Sequence, residues 1–207
     1  MRLLILGATG PTGRHLVDQA LAGGHDVTAF VRDPGRLTAT RPRLAVAAGD
    51  ATDARALEGA MNGQHAVLSA LGAGNSLRSE IASRAVAAVV PAMQAQGVKR
   101  IIYLSAFGVG ETFEQASVVQ RLAYRTLLRQ IFADKAKADA MLRASALDWT
   151  LVYPTLLMNG SRTGSCRVGE RLPMRGMAKI SRADVAAFML AQLSSDEWLR
   201  RIAVVST

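Results

Sequence analysis

Gly7, Gly10 and Gly13 are the residues whose type and spacing speak most directly of chemistry. They stand in the run Gly7-Ala8-Thr9-Gly10-Pro11-Thr12-Gly13. The apolar stretch Leu3 to Leu6 precedes it, and Leu16, Val17 and Ala20 follow at helical spacing. That order reads as strand, tight turn, helix. Glycine lets a backbone bend sharply and approach a ligand closely, and the free N–H groups that open a helix favour a negative charge. Pro11 suits the first helical turn, where its missing N–H would have had no partner. The run therefore reads as a phosphate cradle of the dinucleotide-binding kind, assigning Gly7, Thr9, Gly10, Pro11, Thr12 and Gly13 to the ligand. A glycine-rich turn without a ligand would leave Gly10 and Gly13 unexplained. The spacing is Gly-x-x-Gly-x-x-Gly rather than the common Gly-x-Gly-x-x-Gly.

Further candidates lie at the ends of later strands. A strand over His25 to Val31 ends in Arg32-Asp33-Pro34-Gly35-Arg36. Sites for NAD carry a carboxylate at this strand end, and sites that accept a 2′-phosphate carry a cation there. Arg32, helped by Arg36, thus predicts NADPH rather than NADH. A fourth strand over Ala66 to Leu71 ends in Gly72-Ala73-Gly74-Asn75, small residues that would let Ala70, Leu71 and Gly72 approach the ribose and nicotinamide half of the cofactor. A fifth buried strand, from Lys99, places Ser105 at its carboxyl end, where open α/β sheets put ligand chemistry. Ser105 is the candidate catalytic residue, donating a hydrogen bond to an acceptor carbonyl; the alternative is a hydroxyl that satisfies local backbone. A sixth strand, Asp148 to Tyr153, leads into Pro154 and Thr155. This strand end is also assigned to the cofactor, with Thr155 on the nicotinamide carboxamide or, alternatively, on local backbone.

The elements that must position these residues follow an alternating β/α order. Gly23-Gly24 closes the first helix. A third strand, Leu44 to Ala48, precedes a helix through Met61 that Asp53 or Thr52 would cap. A helix over about Leu77 to Gln96 contains Pro91, which predicts a kink or a break. A long helical region over about Glu114 to Ser145, in two pieces, lines up Arg121, Arg125 and Arg129 along one stripe. The stretch 159–177, rich in Gly and Arg, predicts an excursion over the mouth of the site. Ser181, with Asp184 three residues on, opens an amphipathic helix, and Arg200 to Ser206 supplies a last strand. The prediction is one α/β domain over residues 1–207, a single Rossmann-type doubly wound parallel sheet.

Composition narrows the classes. Half of the 207 residues are apolar, and Cys166 is the only cysteine, which excludes an internal disulfide and suits a reducing compartment. The apolar start is too short for a signal-peptide core, and no uncharged run approaches the roughly 18 residues a membrane span needs. A soluble cytoplasmic protein, monomeric or a small homo-oligomer and with no membrane partner, is expected. The net charge of +9 raises nucleic acid as a partner, but aromatics make up only 5 % and no nucleic-acid module is visible. A positive field equally suits an anionic cofactor. His15, His25 and His65 are dispersed without metal-ligand spacing, and no Gly-x-Ser-x-Gly elbow surrounds a serine.

Nearly the whole chain resembles the atypical short-chain dehydrogenase/reductases, in their NmrA-like and NAD(P)H-binding branch, and within it the flavin reductase (NADPH) or biliverdin-IXβ reductase group. The resemblance rests on Gly7-Ala-Thr-Gly-Pro-Thr-Gly13, Val31-Arg-Asp33, Gly49-Asp50, Leu71-Gly72, Ser105-Ala-Phe107, Leu142-Arg143 with Ser145, and Ile180-Ser181 through Phe188-Met-Leu190. It implies a doubly wound sheet, NADPH, and hydride transfer to a small conjugated acceptor such as a flavin or quinone. It also implies that Asp50, with Ala51 beside it, sits at the adenine ring; a plain turn carboxylate is the alternative. Two departures stand out. The Tyr-x-x-x-Lys pair of conventional short-chain dehydrogenases is missing, since Ile131 stands four residues before Lys135 and Leu128 four after Tyr124. Leu156 occupies the place of a histidine that the flavin/biliverdin group carries after its sixth strand. The first speaks against alcohol–ketone chemistry, the second against bilin reduction in particular. The rival class is an NmrA-like NADP(H)-binding redox sensor without turnover. A nucleotide-sugar epimerase or dehydratase is disfavoured by length and by the missing tyrosine.

Overall fold

The computed structural model describes residues 1–37, 41–72, 80–174 and 178–207. The small-residue positions Ala73, Gly74 and Asn75, and the expected helix start near Leu77, lie outside them. The first half alternates strand and helix: β1 (Arg2–Leu6), α1 (Pro11–Ala22), β2 (Asp26–Val31), β3 (Leu44–Ala48), α2 (Ala54–Met61), β4 (Ala66–Ser69) and α3 (Ile81–Ala95). The second half runs β5 (Arg100–Leu104), α4 (Val118–Arg125), α5 (Arg129–Ala144), β6 (Asp148–Pro154), β7 (Leu156–Met158), β8 (Arg167–Gly169), β9 (Lys179–Ser181), α6 (Arg182–Ala191) and β10 (Arg201–Ser206). Among the described residues the main sheet has the order β3-β2-β1-β4-β5-β6-β10-β8. All its pairings are parallel except that of β8 with β10. This is a single Rossmann-type α/β domain, as expected.

Strand alternation sends successive side chains to opposite faces, and the two faces are buried separately. On one side Leu4, Ile101, Tyr103, Leu151 and Tyr153 pack with α2, α3 and α5 through Leu57, Val89 and Leu142. On the other, Leu3, Ile5, Ile102 and Val152 pack with α1 and α6 through Leu16, Val17, Val185 and Met189. β1 is paired on both sides and Leu3 to Leu6 are fully buried, which explains an apolar run without alternation.

Local signals decide the helix ends. Asp53 accepts the N–H groups of Arg55 and Ala56 at 2.9 and 3.3 Å and so caps α2. Gly24, at φ +77°, turns the chain out of α1. The carboxylate that caps α3 comes from elsewhere: Asp134 of α5 accepts the N–H groups of Ala82 and Ser83 at 2.9 and 3.0 Å, while Glu80 at the N-cap makes no such bond.

Three expectations need correction. Pro91 neither breaks α3 nor ends it. Both Pro91 and Ala87, whose carbonyl loses its helical partner to the proline, are on the exposed face, where solvent can reach that carbonyl. The arginine stripe is not continuous, because α4 ends at Arg125 and α5 starts at Arg129. Arg121 instead pairs with Glu114 at 3.3 Å, and Arg125 lies 5.0 Å from the centre of the Phe113 ring. Finally, part of the stretch 159–177 is sheet rather than cover: β8 adds antiparallel to β10 and closes that edge.

Candidate functional site

The parallel strands bring the carboxyl ends of β1, β4, β5 and β6 to one edge of the sheet. The glycine turn leaves β1 at that edge, and its three glycines do different work. Gly7 adopts φ +76°, and a Cβ there would lie 2.7 Å from the carbonyl oxygen of Ala70, so the turn can seat against the end of β4 only without a side chain. A Cβ on Gly13 would lie 2.0 Å from the carbonyl oxygen of Gly7, so Gly13 allows α1 to pack against the turn. A Cβ on Gly10 would meet only the Gly7 carbonyl, at 3.2 Å, with no other neighbouring atom within 4 Å. A side chain at Gly10 would thus press on one backbone carbonyl of its own turn and on no second element, and the Gly10 backbone is extended (φ −73°, ψ 164°). What its lack of a side chain leaves is open space over the start of α1.

That helix start has no capping side chain, and Pro11 is its first residue. The opening amides at Thr12 and Gly13 have no intrahelical acceptor, by the geometry of any helix start. An anion above Gly10 would meet them and the positive end of the helix dipole. Thr9 gives its carbonyl to the Nε of Arg14 at 3.2 Å, which holds an exposed cation beside the same turn.

Arg32 and Arg36 follow β2 and are both exposed. Asp33, between them, is taken up by the turn, where its carboxylate accepts the N–H of Gly35 at 3.0 Å. The cations rather than the acid therefore remain available to a ligand at this strand end. Asp50 accepts both the N–H and the hydroxyl of Thr52 at 2.8 Å. These bonds, with Arg32 and Arg84 nearby, hold its carboxyl below the usual aspartate range. Ala51, next to it, is buried. Ala70 and Leu71 are half-buried and form the peptide that seats Gly7, while Gly72 is exposed with open space around its Cα. An NAD(P)H group fits these residues: a cradle that a side chain at Gly10 would fill, uncapped amides behind it, and exposed cations at the neighbouring strand end.

Ser105, Tyr153, Pro154 and Thr155 occupy the same edge further along, and here the side chains turn inward. Ser105 and Tyr153 lie on the α5 side of the sheet, since each is two residues from a core residue of that face, Tyr103 and Leu151. Both donate to one oxygen of Asp139 on α5: Ser105 Oγ to Oδ2 at 2.7 Å, and Tyr153 OH to Oδ2 at 2.7 Å. The other carboxylate oxygen, Oδ1, is buried without a partner, and so is the hydroxyl of Tyr103. Lys135, one turn earlier, donates to the carbonyl of Leu104 at 3.4 Å. Burial pushes the Asp139 carboxyl up, against the pull of the Ser105 and Tyr153 hydrogen bonds and of Lys135 and Arg143. Burial also pushes the Tyr153 phenol up, and the Asp139 charge adds to that, while it pulls the Lys135 ammonium down. Pro154 gives its carbonyl to the N–H of Phe107 at 3.0 Å. Thr155 is buried, its N–H on Val205 O at 3.1 Å and its hydroxyl on Ser206 Oγ at 3.2 Å.

Arg32 and Arg36 are exposed at the carboxyl edge and Asp50 bonds only within its own turn, to Thr52, whereas the hydroxyls of Ser105, Tyr153 and Thr155 bond across the fold. Sequence reading passed over Asp134 and Asp139. The available signal was a carboxylate on the buried stripe of α5: Asp139 follows Ala138 directly and precedes Leu142 by three. Asp184 was read only as a capping residue. It also accepts the N–H and hydroxyl of Thr163 and the N–H of Gly164, at 2.8 to 3.1 Å, which ties the stretch after β7 to α6. Burial alone would raise its pKa, but these bonds and the one from Ser181 hold it low. Among the described residues no cluster of three His, Cys, Asp or Glu could hold a metal, and no helix is long and apolar enough to cross a membrane. A concavity lined by Arg2, Asp26, Arg43 and Gln64 opens at the amino ends of the strands, the edge opposite the glycine turn.

Comparison with known proteins agrees with the glycine turn. The profile of a family described as NAD(P)H-binding matches residues 7–196. YhfK of Bacillus subtilis, an uncharacterised sugar epimerase, is 29 % identical over 205 residues, spanning 93 % of this chain and 88 % of that protein. ChuY, an anaerobilin reductase of Escherichia coli O157:H7, superposes with a TM-score of 0.84 over 99 % of this chain and 96 % of its own, at 23 % identity. A short-chain dehydrogenase/reductase of Veillonella parvula, solved in complex with NADP, superposes at 0.83 over 100 % and 94 % of the two chains, at 20 % identity. At such identities the two structural likenesses speak for the fold.

Proposed function

The chain belongs to the NAD(P)H-binding family, and we propose that it is an NADPH-dependent reductase of the atypical short-chain type, transferring a hydride to a planar conjugated acceptor of the flavin or quinone kind. The single observation that carries the reading is the open side of Gly10, which faces the uncapped start of α1 with Arg32 and Arg36 exposed at the next strand end. Gly10 and the amides of Thr12 and Gly13 would hold the pyrophosphate, Arg32 and Arg36 the 2′-phosphate, and Asp50 the adenosine end. When bound, NADPH supplies the hydride.

The chain's own contribution is orientation and exclusion of water. Conjugated rings spread the charge they receive, so they need no strong acid held against them. This fits a chain with Ile131 where a proton-donating tyrosine would stand. The reductase named among the structural relatives supports the class of reaction. Leu156 in place of the histidine of the flavin/biliverdin group that the sequence resembles speaks against a bilin in particular. The test is NADPH oxidation by the protein against FMN, FAD, riboflavin, quinones and biliverdin, with NADPH binding followed by its fluorescence. Turnover with a flavin or quinone is the expected result. Saturable binding without turnover across the panel sinks the reductase and leaves an NADP(H)-binding sensor.

A further inference from the structure

The buried group around Asp139 is larger than a serine satisfying local backbone requires. One carboxylate receives two hydroxyl hydrogens on a single oxygen, at 2.7 Å each, while its second oxygen and the Tyr103 hydroxyl are sealed in without partners. An unpartnered buried carboxylate oxygen is costly when charged and much less so when the group carries a proton. Asp139 is 3 % exposed and Ser105 4 %. Ser105 sits at the carboxyl end of β5, on the edge that carries the glycine turn, with Asp139 directly behind it.

We propose that Asp139 is a positioning residue that sets the direction of the Ser105 hydrogen bond and, through Ser105, delivers the proton to the reduced acceptor. With Asp139 ionised, Ser105 gives it its hydrogen and has only lone pairs left to offer an acceptor. With Asp139 protonated, Oδ2 donates to Ser105 Oγ, and the Ser105 hydrogen is free to point at an acceptor oxygen or nitrogen. In the transfer, the Ser105 O–H bond breaks as the acceptor's O–H or N–H bond forms. The Asp139 O–H bond breaks as Ser105 regains its hydrogen. Asp139 is left as the carboxylate, to be reprotonated from solvent before the next turnover. This rests on the reductase reading for the identity of the proton's destination, but not for the coupling of the two side chains.

The groups facing Asp139 agree with a proton held there at higher pH than on an ordinary aspartate. Tyr103 and Ser105 come from β5 and Tyr153 from β6. Lys135, Arg143 and Asp134 come from α5 itself, and Glu111 lies beyond Tyr153, paired with Arg143 at 3.0 Å. The buried side chains of α3, which packs on α5, are alanines, valines, Met93 and Ser83. Lys135 and Arg143 pull the carboxyl down, but burial outweighs them.

The experiment has a spectroscopic arm and a kinetic arm. In the first, the carboxyl carbon of Asp139 is titrated by 13C NMR in the wild type and in Ser105→Ala. The expected result is an apparent pKa above the ordinary aspartate range, rising further when the Ser105 donor is removed. Titration in the ordinary range, or no response to Ser105→Ala, overturns the proposal whether or not the protein turns over. In the second, kcat is followed against pH in water and in heavy water. Wild-type kcat is expected to fall as pH rises through the Asp139 pKa. Asp139→Asn, which keeps the shape and cannot release a proton, is expected to lose that limb and the solvent isotope effect. Its kcat should fall about a hundredfold, within the usual range for general acid–base catalysis, with NADPH affinity unchanged by fluorescence. An unchanged kcat and pH profile in a folded Asp139→Asn protein overturns the relay. Wild-type inactivity toward every acceptor sinks the reductase reading and the relay with it, and the NMR arm then decides the coupling alone.

Discussion

The two halves of the candidate site are built in opposite ways. At the β1–α1 turn the working groups are backbone amides and open space, flanked by exposed arginines. The three glycines sit within one short stretch of chain, Gly7 to Gly13. Around Ser105 the working groups are side chains from β5, β6 and α5, separated by 34 residues between Ser105 and Asp139 and closed on one another. The first region is prepared for a charge brought from outside, and the second is closed around a carboxyl group whose proton burial holds more tightly. Substitutions should therefore separate them, those in the turn acting on binding or folding and those in the cluster acting on proton chemistry.

The largest effects should come from within the turn itself. Gly10→Val is expected to weaken NADPH binding at least a hundredfold, about 2.7 kcal/mol, with the circular dichroism of the wild type, because its side chain would fill the cradle without striking a second element. Gly13→Val is expected instead to lose the fold or to destabilise it by about 3 kcal/mol in urea, since its Cβ would strike the Gly7 backbone. A Gly10→Val protein that binds NADPH normally would put the cradle elsewhere. At the neighbouring strand end, Arg32→Glu should cost roughly 1–3 kcal/mol of NADPH affinity and far less of NADH, read by calorimetry. Equal losses for the two cofactors would break the assignment of Arg32 to the 2′-phosphate.

The cluster should answer to pH. Because the folded Asp139 holds its proton more tightly than the unfolded chain does, it contributes most to stability in acid. That contribution is lost as pH rises from the ordinary aspartate range through its raised pKa. Asp184 and Asp50 behave in the opposite sense, their contributions present above the ordinary range and lost as pH falls below it. Urea denaturation of wild type and Asp139→Asn across a pH series should show the difference between the two narrowing or reversing in the direction set by Asp139. A constant difference at all pH values would mean that Asp139 does not titrate there. The smallest effect is expected at Tyr124, whose ring stacks on Phe132 at 4.3 Å rather than joining the cluster. Tyr124→Phe should leave turnover within about threefold, ~0.7 kcal/mol on the barrier.

What was legible in the sequence follows the same division. The strand–turn–helix order, the Asp53 cap and the cations after β2 are local, so adjacent residues betray them. The Asp139 cluster is not local: it needs β5 and β6 side by side in register, with Tyr103 opposite Leu151, and α5 laid over both. A carboxylate on a helix reads as a solvated residue until that register is known. Asp134 is hidden for the same reason, because the Ala82 amide it accepts lies 52 residues away from it. Pro91 does not end α3, and its effect depends on which face of the helix meets water. The stretch after β7 was read as cover because β8 is only three residues long and finds its partner, β10, late in the chain.

The seat of Gly7 against Ala70 and Leu71 also sets a timetable for the newborn chain. β1 can pair with β2 early, but its other neighbour, β4, begins at Ala66. At synthesis rates of about 5–20 residues per second, the peptide that closes the turn follows Gly7 by roughly 3–13 s. During that interval the apolar strand Leu3 to Leu6 has one edge uncovered, and a chain in that state is a natural client for a chaperone. The cradle is first in the order of residues and cannot be first in the order of folding.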